Sequence, residues 1–154
     1  MRTLALLTLS GNSIIDSLLD KNKDAKVFIM GDFNDTPMDK SLYYLEHKST
    51  KRKPQDENVA KLFNPMRENH KKGFGTHAYH DVWSVFDMII VTPGVVSGAN
   101  GGYKFKFADR WDRAWLHQTE GRYKGYPLRT HAGGNYLGGY SDHLPVYMYI
   151  VKEK

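Results

Sequence analysis

Residues 27 to 35 read V-F-I-M-G-D-F-N-D, an apolar run that stops abruptly at Asp32, Asn34 and Asp35 with the aromatic Phe33 among them. A buried strand ending at a working edge has this form. Side chains alternate faces along a strand, so Asp32 and Asn34 are expected to project to the same side. A carboxylate and a carboxamide then sit together at the strand's C-terminal end, where α/β sheets hold ligands. The same letters also suit a plain strand followed by a turn, since Gly, Asp and Asn are the commonest turn residues. This stretch alone does not choose between the two, and the rest of the chain has to.

The surrounding pattern is that of an α/β protein. Apolar residues at Leu4, Leu7, Ile14, Ile15, Leu18 and Leu19 fit one face of a helix over Thr3 to Leu19. Ala25 to Met30 reads as the first strand, and helix, strand, then polar edge is the α/β order. Thr36-Pro37-Met38-Asp39 resembles a helix start, with the helix itself over Ser41 to Glu46. His47 to Glu57, with Lys48, Lys51, Arg52 and Lys53, reads as a charged surface loop. Gly73 to Tyr79 and Trp83 to Val91 read as strands joined by a hairpin at His80-Asp81-Val82. Pro93 to Gly102 reads as a Gly-rich turn, and Val146 to Val151 as a terminal strand. At 154 residues the chain fits one domain.

Within Trp83 to Val91 both faces are apolar except at Asp87. A single carboxylate inside such a run is costly unless it has a partner. Another polar pair, Asp142-His143, precedes the terminal strand. The chain has no cysteine, so there is neither a disulfide framework nor a thiolate metal site. A metal here must be held by carboxylate, carboxamide or imidazole, which favours Mg²⁺, Mn²⁺ or Ca²⁺ over structural zinc. A formal net charge of +5 favours polyanionic partners. From Tyr103 to His131, cations such as Arg110, Arg113, Arg122 and Arg129 interleave with Tyr103, Phe105, Phe107, Trp111, Trp115, Tyr123 and Tyr126. That mixture suits phosphate contacts with base stacking, while alternating Phe105 and Phe107 equally suit one face of a half-buried strand. No apolar run approaches the ~20 residues of a membrane span. Cytoplasm is the default placement, with periplasmic or secreted placement left open.

Asp32, Asn34, Asp87, Asp142 and His143 together make a set suited to phosphoester hydrolysis, which needs an oriented water, a neutralised phosphoryl oxygen and a stabilised leaving group. With its motifs G-D-F-N at 31–34, W-x-x-x-D at 83–87 and S-D-H-x-P-V at 141–146, in this order and separation, the chain resembles the C-terminal half of the endonuclease/exonuclease/phosphatase superfamily, the deoxyribonuclease I-like fold. G-T-H at 75–77 is similar to a bacterial branch of it. The resemblance implies half of a four-layer α/β sandwich, one mixed, largely antiparallel sheet with helices packed on one face. It implies that Asp32 orients or deprotonates the attacking water and shares in metal binding. Asn34 would support the transition state, and Asp142 would bind the metal, Mg²⁺ or Mn²⁺. His143 would contact the scissile phosphate with Asp87 as its carboxylate partner. His77, His80 and His131 are expected in ordinary surface or supporting positions.

The departure from the family pattern shapes the expectation further. Family members are roughly twice this length, in keeping with a two-sheet sandwich larger than one ~150-residue unit. Their first half supplies an Asn, a metal-binding Glu and another His, and Glu46, Glu57, Glu68 and Glu120 all lie in the wrong order to replace that Glu. Residues 1–154 are therefore expected to be the C-terminal portion of such a domain, with its N-terminal half absent and little activity alone. The sheet face that the other half covers would then be an association site, for that half or for a second copy of this chain. The expected function is a divalent-metal-dependent phosphoester hydrolase, a nuclease ahead of a phosphatase or phospholipid phosphodiesterase. A non-catalytic nucleic-acid-binding or interaction module is the competing expectation.

Overall fold

The computed structural model describes residues 13–47 and 61–152. Leu4, Leu7 and the basic cluster from Lys48 to Lys53 lie outside those residues. The described part opens in a helix, α1 (13–21), which buries Ile15 and packs Leu19 on the core, leaving Ile14 and Leu18 exposed. Strand β1 runs Phe28–Asp32, three residues later than the expected start and two beyond the expected end. Thr92 explains the late start. Its hydroxyl accepts a hydrogen bond from the Val27 amide (3.0 Å), and its own amide donates to the Val27 carbonyl (3.2 Å), so the chain before Phe28 is held outside the ladder.

Helix α2 (Lys40–His47) follows, introduced by Thr36, whose amide and hydroxyl both donate to the Asp39 carboxylate at 2.7 and 2.8 Å. It buries Leu42, Leu45 and Glu46. After α3 (Met66–Lys71) come β2 (His77–Tyr79) and β3 (Val82–Ser84), paired as a tight hairpin. Its two central residues, His80 and Asp81, have φ of 47° and 64°. Successive left-handed residues match the strand twist that such a turn requires.

The expected single strand from Trp83 to Val91 is broken. β3 ends at Ser84 and β4 (Asp87–Val91) begins three residues later with a different partner, β1. Buried Thr76 makes the break: its hydroxyl accepts the Phe86 and Asp87 amides at 3.1 and 3.2 Å, capping the start of β4 with a side chain instead of a strand. Pro93 to Gly102, expected as a turn, holds helix α4 (Pro93–Ser97) and a single 3₁₀ turn at Ala99–Gly101. Extended Thr92 at the N-cap position and Pro at the first helical position account for it.

β5 (Tyr103–Arg110) pairs antiparallel with β8 (Val146–Lys152), and β6 (His131–Ala132) with β7 (Asn135–Tyr136). A bulge lies between Phe105 and Phe107. It places the two rings on opposite faces, against the expected alternation, because the extra residue Lys106 shifts the side-chain period. Phe105 packs on the core, while Phe107 is exposed and stacks on Tyr149 at 4.8 Å.

Mixed helices and antiparallel strands are as expected, but the single mixed sheet is not. Among the described residues there are four two-stranded antiparallel ladders: β1–β4, β2–β3, β5–β8 and β6–β7. Phe63 exchanges both backbone hydrogen bonds with Val91 at the end of β4 (2.8 and 2.9 Å), and the β5–β8 ladder packs on β4 without joining it. Val146 touches both core clusters, one built around Leu42, Leu62, Met66, Met88 and Ile90, the other around Ile89, Val91 and Val95. Met88 and Ile90 are fully buried, each stabilising the fold by at most roughly 1.5–3 kcal/mol. Ile89 and Val91 are buried on the opposite face, and burial on both faces fixes β4, and with it the position of Asp87. Among the described residues no helix is long and apolar enough to cross a membrane.

Candidate active site

The end of the β1–β4 ladder carries two carboxylates. Asp32 and Asp87 are register partners, and directly opposed residues of an antiparallel pair share one face. Like charges so placed destabilise a sheet, and an imidazole meets one of them here. His143 Nδ1 donates to Asp87 Oδ2 at 2.6 Å. This hydrogen bond raises the His143 pKa above its ordinary value against the opposing effect of burial, and the charges of Asp87, Asp32 and Asp142 act in the same direction. The bond also leaves Nε2 as the atom free to meet a substrate oxygen.

Asn34 does not share a strand face with Asp32. The strand ends at Asp32, and Asn34 sits in the left-handed region (φ 52°) with its amide donating to Asp32 Oδ1 at 2.8 Å. This is a turn in which the aspartate side chain replaces a backbone carbonyl. The turn reading and the site reading of G-D-F-N-D thus describe one object, since the turn holds the Asp32 carboxylate in place. Gly31, at φ 146°, adopts a backbone that L side chains rarely reach.

His143 is held by its neighbours. Its amide donates to Ser141 Oγ (3.0 Å), and the next amide, Leu144, donates to the Thr76 carbonyl (2.7 Å). Thr76 therefore sets both members of the His143–Asp87 pair, one through its carbonyl and the other through its hydroxyl. Beside it, Gly75 is buried so closely against the hairpin that a Cβ would lie 2.7 Å from the Ser84 nitrogen.

His77, expected in an ordinary surface or supporting position, lies beside His143. Its backbone bridges to His143, its ring lies 4.6 Å from the His143 ring, and the Phe86 ring stacks near it at 5.7 Å. Burial, and then the charge of His143, lowers its pKa. The two neighbouring imidazoles are thus pushed in opposite directions, the pattern of a proton donor beside a neutral partner. The signal for His77 was the tight His80-Asp81 turn, which pairs His77 with Ser84, three residues before Asp87. His80 is exposed in that turn, and His131 is exposed in β6, where its ring lies 5.3 Å from that of Tyr136. Arg129 also joins the site, 3.3 Å from Asp142.

Ligand atoms of His77, Asp142 and His143, and likewise of Asp32, Asp87 and His143, lie within 4.8 Å of one another, close enough to hold a metal ion. The donor chemistry divides them. Asp32 and Asp142 fall in different groups, each bringing the carboxylate oxygen that suits a hard divalent cation, while Asp87 is engaged by His143 and Asp142 by Arg129. Glu46 is not among them. It is 2% exposed, and its carboxylate is engaged by Arg67 (2.9 and 2.6 Å) and Asn64 (3.0 Å).

A carboxylate-held imidazole beside further acidic groups, at the end of an antiparallel ladder in a mixed α/β fold, is an arrangement suited to hydrolytic chemistry on phosphoesters. The chain is a member of the endonuclease/exonuclease/phosphatase family, whose model matches residues 2–152. Membership suggests a metal-dependent phosphoester hydrolase. No curated protein and no solved structure matches the chain significantly.

Proposed function

We propose that this chain is the C-terminal portion of a Mg²⁺- or Mn²⁺-dependent phosphodiesterase acting on nucleic acid. The observation that carries the reading is the 2.6 Å His143–Asp87 hydrogen bond at the ladder end where Asp32 opposes Asp87. In this reading Asp32 orients the attacking water and accepts its proton, and the turn at Asn34 keeps its carboxylate aimed. Asn34 donates to a phosphoryl oxygen. His143, kept protonated by Asp87, donates from Nε2 to the phosphate and lowers the barrier by neutralising charge as it develops. Asp142 and Asp32 would supply the carboxylate oxygens for the metal ion, which when bound would neutralise charge on the phosphoryl oxygens. The basic, aromatic stretch from Tyr103 to His131 supports nucleic acid over the family's other substrates.

The reading includes a covering partner, the N-terminal half of the domain or a second copy. Strand β1 leaves Met30 65% exposed and Phe28 exposed, and β8 exposes Tyr149, Ile150 and Val151, an apolar extent that supports association. Sedimentation at micromolar concentration is expected to show a complex, and a monodisperse monomer counts against it. The purified chain with Mg²⁺ or Mn²⁺ is expected to hydrolyse plasmid DNA only weakly until the N-terminal half is supplied, and Asp32→Ala then removes the activity. Strong metal-dependent cleavage by the chain alone contradicts the partial-domain reading. A preference for sphingomyelin or a chromogenic phosphate monoester over DNA and RNA contradicts the nuclease reading.

A further inference from the structure

Next to Asp142 and Arg129 lies a cavity of about 450 Å³ whose wall includes Tyr79, Tyr123, Tyr126 and Arg122. The hydrolytic chemistry proposed above uses none of these four. One side of the wall is rigid. The Tyr126 hydroxyl donates to Asp81 Oδ1 (2.7 Å) and accepts the Asp81 amide (2.6 Å), tying the ring to the left-handed hairpin turn. Tyr123 lies 5.5 Å from Tyr126, and the Arg122 guanidinium sits 5.7 Å from the Tyr123 ring centre. Tyr123 and Tyr79 remain 48% and 67% exposed.

We infer that this cavity is a base-binding subsite, which receives the planar ring of a nucleotide whose phosphate lies at the Asp142–Arg129 end. Three features select that chemistry. Rings with exposed faces stack on any base. A guanidinium near one of them adds cation–π attraction and a place for a neighbouring phosphate. The volume is within the range of small-ligand sites, and the wall joins three tyrosines and two arginines to polar Gln118 and Asp142, with Leu137 its one large aliphatic side chain. The inference rests on the phosphoester reading for its polarity, phosphate at Asp142 and ring at Tyr123.

The test is binding by the full chain in EDTA, where hydrolysis plays no part, of thymidine 5′-monophosphate, deoxyribose 5-phosphate and a short-chain phosphatidic acid. Thymidine monophosphate is expected to bind about tenfold more tightly than the sugar phosphate, the size of one stacking contact. Tyr123→Ala is expected to remove that advantage while leaving the sugar phosphate's affinity in place, with Tyr123→Phe retaining it. Tyr79→Ala, at a more exposed position, is the second variant and is expected to weaken binding of thymidine monophosphate while leaving that of the sugar phosphate in place. Equal affinity for nucleotide and sugar phosphate, an equal loss of both in Tyr123→Ala, or tightest binding of the lipid overturns the subsite. Nucleotide binding through Tyr123 without hydrolysis of any phosphodiester by the partnered chain keeps the subsite and removes the hydrolase reading. Hydrolysis that ignores the base removes the subsite alone.

Discussion

Replacing Thr76 by Val tests whether one buried hydroxyl organises the site. Valine keeps the volume and branching of threonine, so the packing at this fully buried position is preserved and only the oxygen is lost. That oxygen accepts two backbone amides, Phe86 at 3.1 Å and Asp87 at 3.2 Å. A buried donor left without a partner costs about 1–3 kcal/mol. Both amides are in a part-buried setting, so two losses at the lower end sum to about 2–4 kcal/mol. For a chain of this length that corresponds to a fall in Tm of roughly 5–15 °C. The assay is thermal and urea unfolding of Thr76→Val beside Thr76→Ser, which keeps the acceptor and is expected to lose only about 1 kcal/mol through its missing methyl. A functional readout separates positioning from stability alone: below its Tm, Thr76→Val is expected to lower the His143 pKa, because the start of β4 that carries Asp87 is no longer pinned. A Thr76→Val protein as stable as the parent, with an unchanged His143 titration, refutes the reasoning.

In metal-free protein the His143 imidazole is expected to titrate above, and His77 below, the ordinary value of about 6.5. NMR should see Asp87→Asn bring His143 down. The sign follows from linkage: the raised folded pKa of His143 contributes stability that is complete below about 6.5 and lost as pH rises through the folded value. Asp112 gives the opposite case. Burial pushes its carboxyl up, but hydrogen bonds from His117 (2.6 Å) and Arg110 (2.9 Å), with their charges, outweigh that and hold it below its ordinary value. Its contribution is present above about pH 3.9 and lost as pH falls through the lower folded value. It is small and salt-sensitive because the side chain is 39% exposed, and Asp112→Asn should flatten the acid limb of a Tm-versus-pH curve. Glu46→Ala is expected to cost about 3 kcal/mol by urea unfolding, since it leaves Arg67 and Asn64 without their shared buried acceptor. An unchanged midpoint would show that the pair contributes nothing net.

What could be read from the letters alone was whatever depended on local period or on the cost of a misplaced charge. Asp87 stood out because a carboxylate in an apolar strand needs a partner, and that partner is His143, 56 residues away. What stayed hidden depended on side chains that compete with backbone pairing. Thr92 delays β1 and Thr76 cuts a nine-residue apolar run into two strands, yet in sequence each is one β-branched residue among several. The bulge at Lys106 reversed Phe107 because a one-residue slip leaves no mark in an alternating pattern. The sequence left His77 between a surface and a supporting position. Its place beside His143 comes from the Thr76 carbonyl gripping Leu144, a long-range contact that no window around G-T-H contains. The parts of the candidate site that were legible are thus the charged groups themselves. The parts that were not are the neutral hydroxyl and carbonyl groups of Thr76 that aim them, which is why the most informative substitution exchanges one oxygen for one methyl and touches no charged residue.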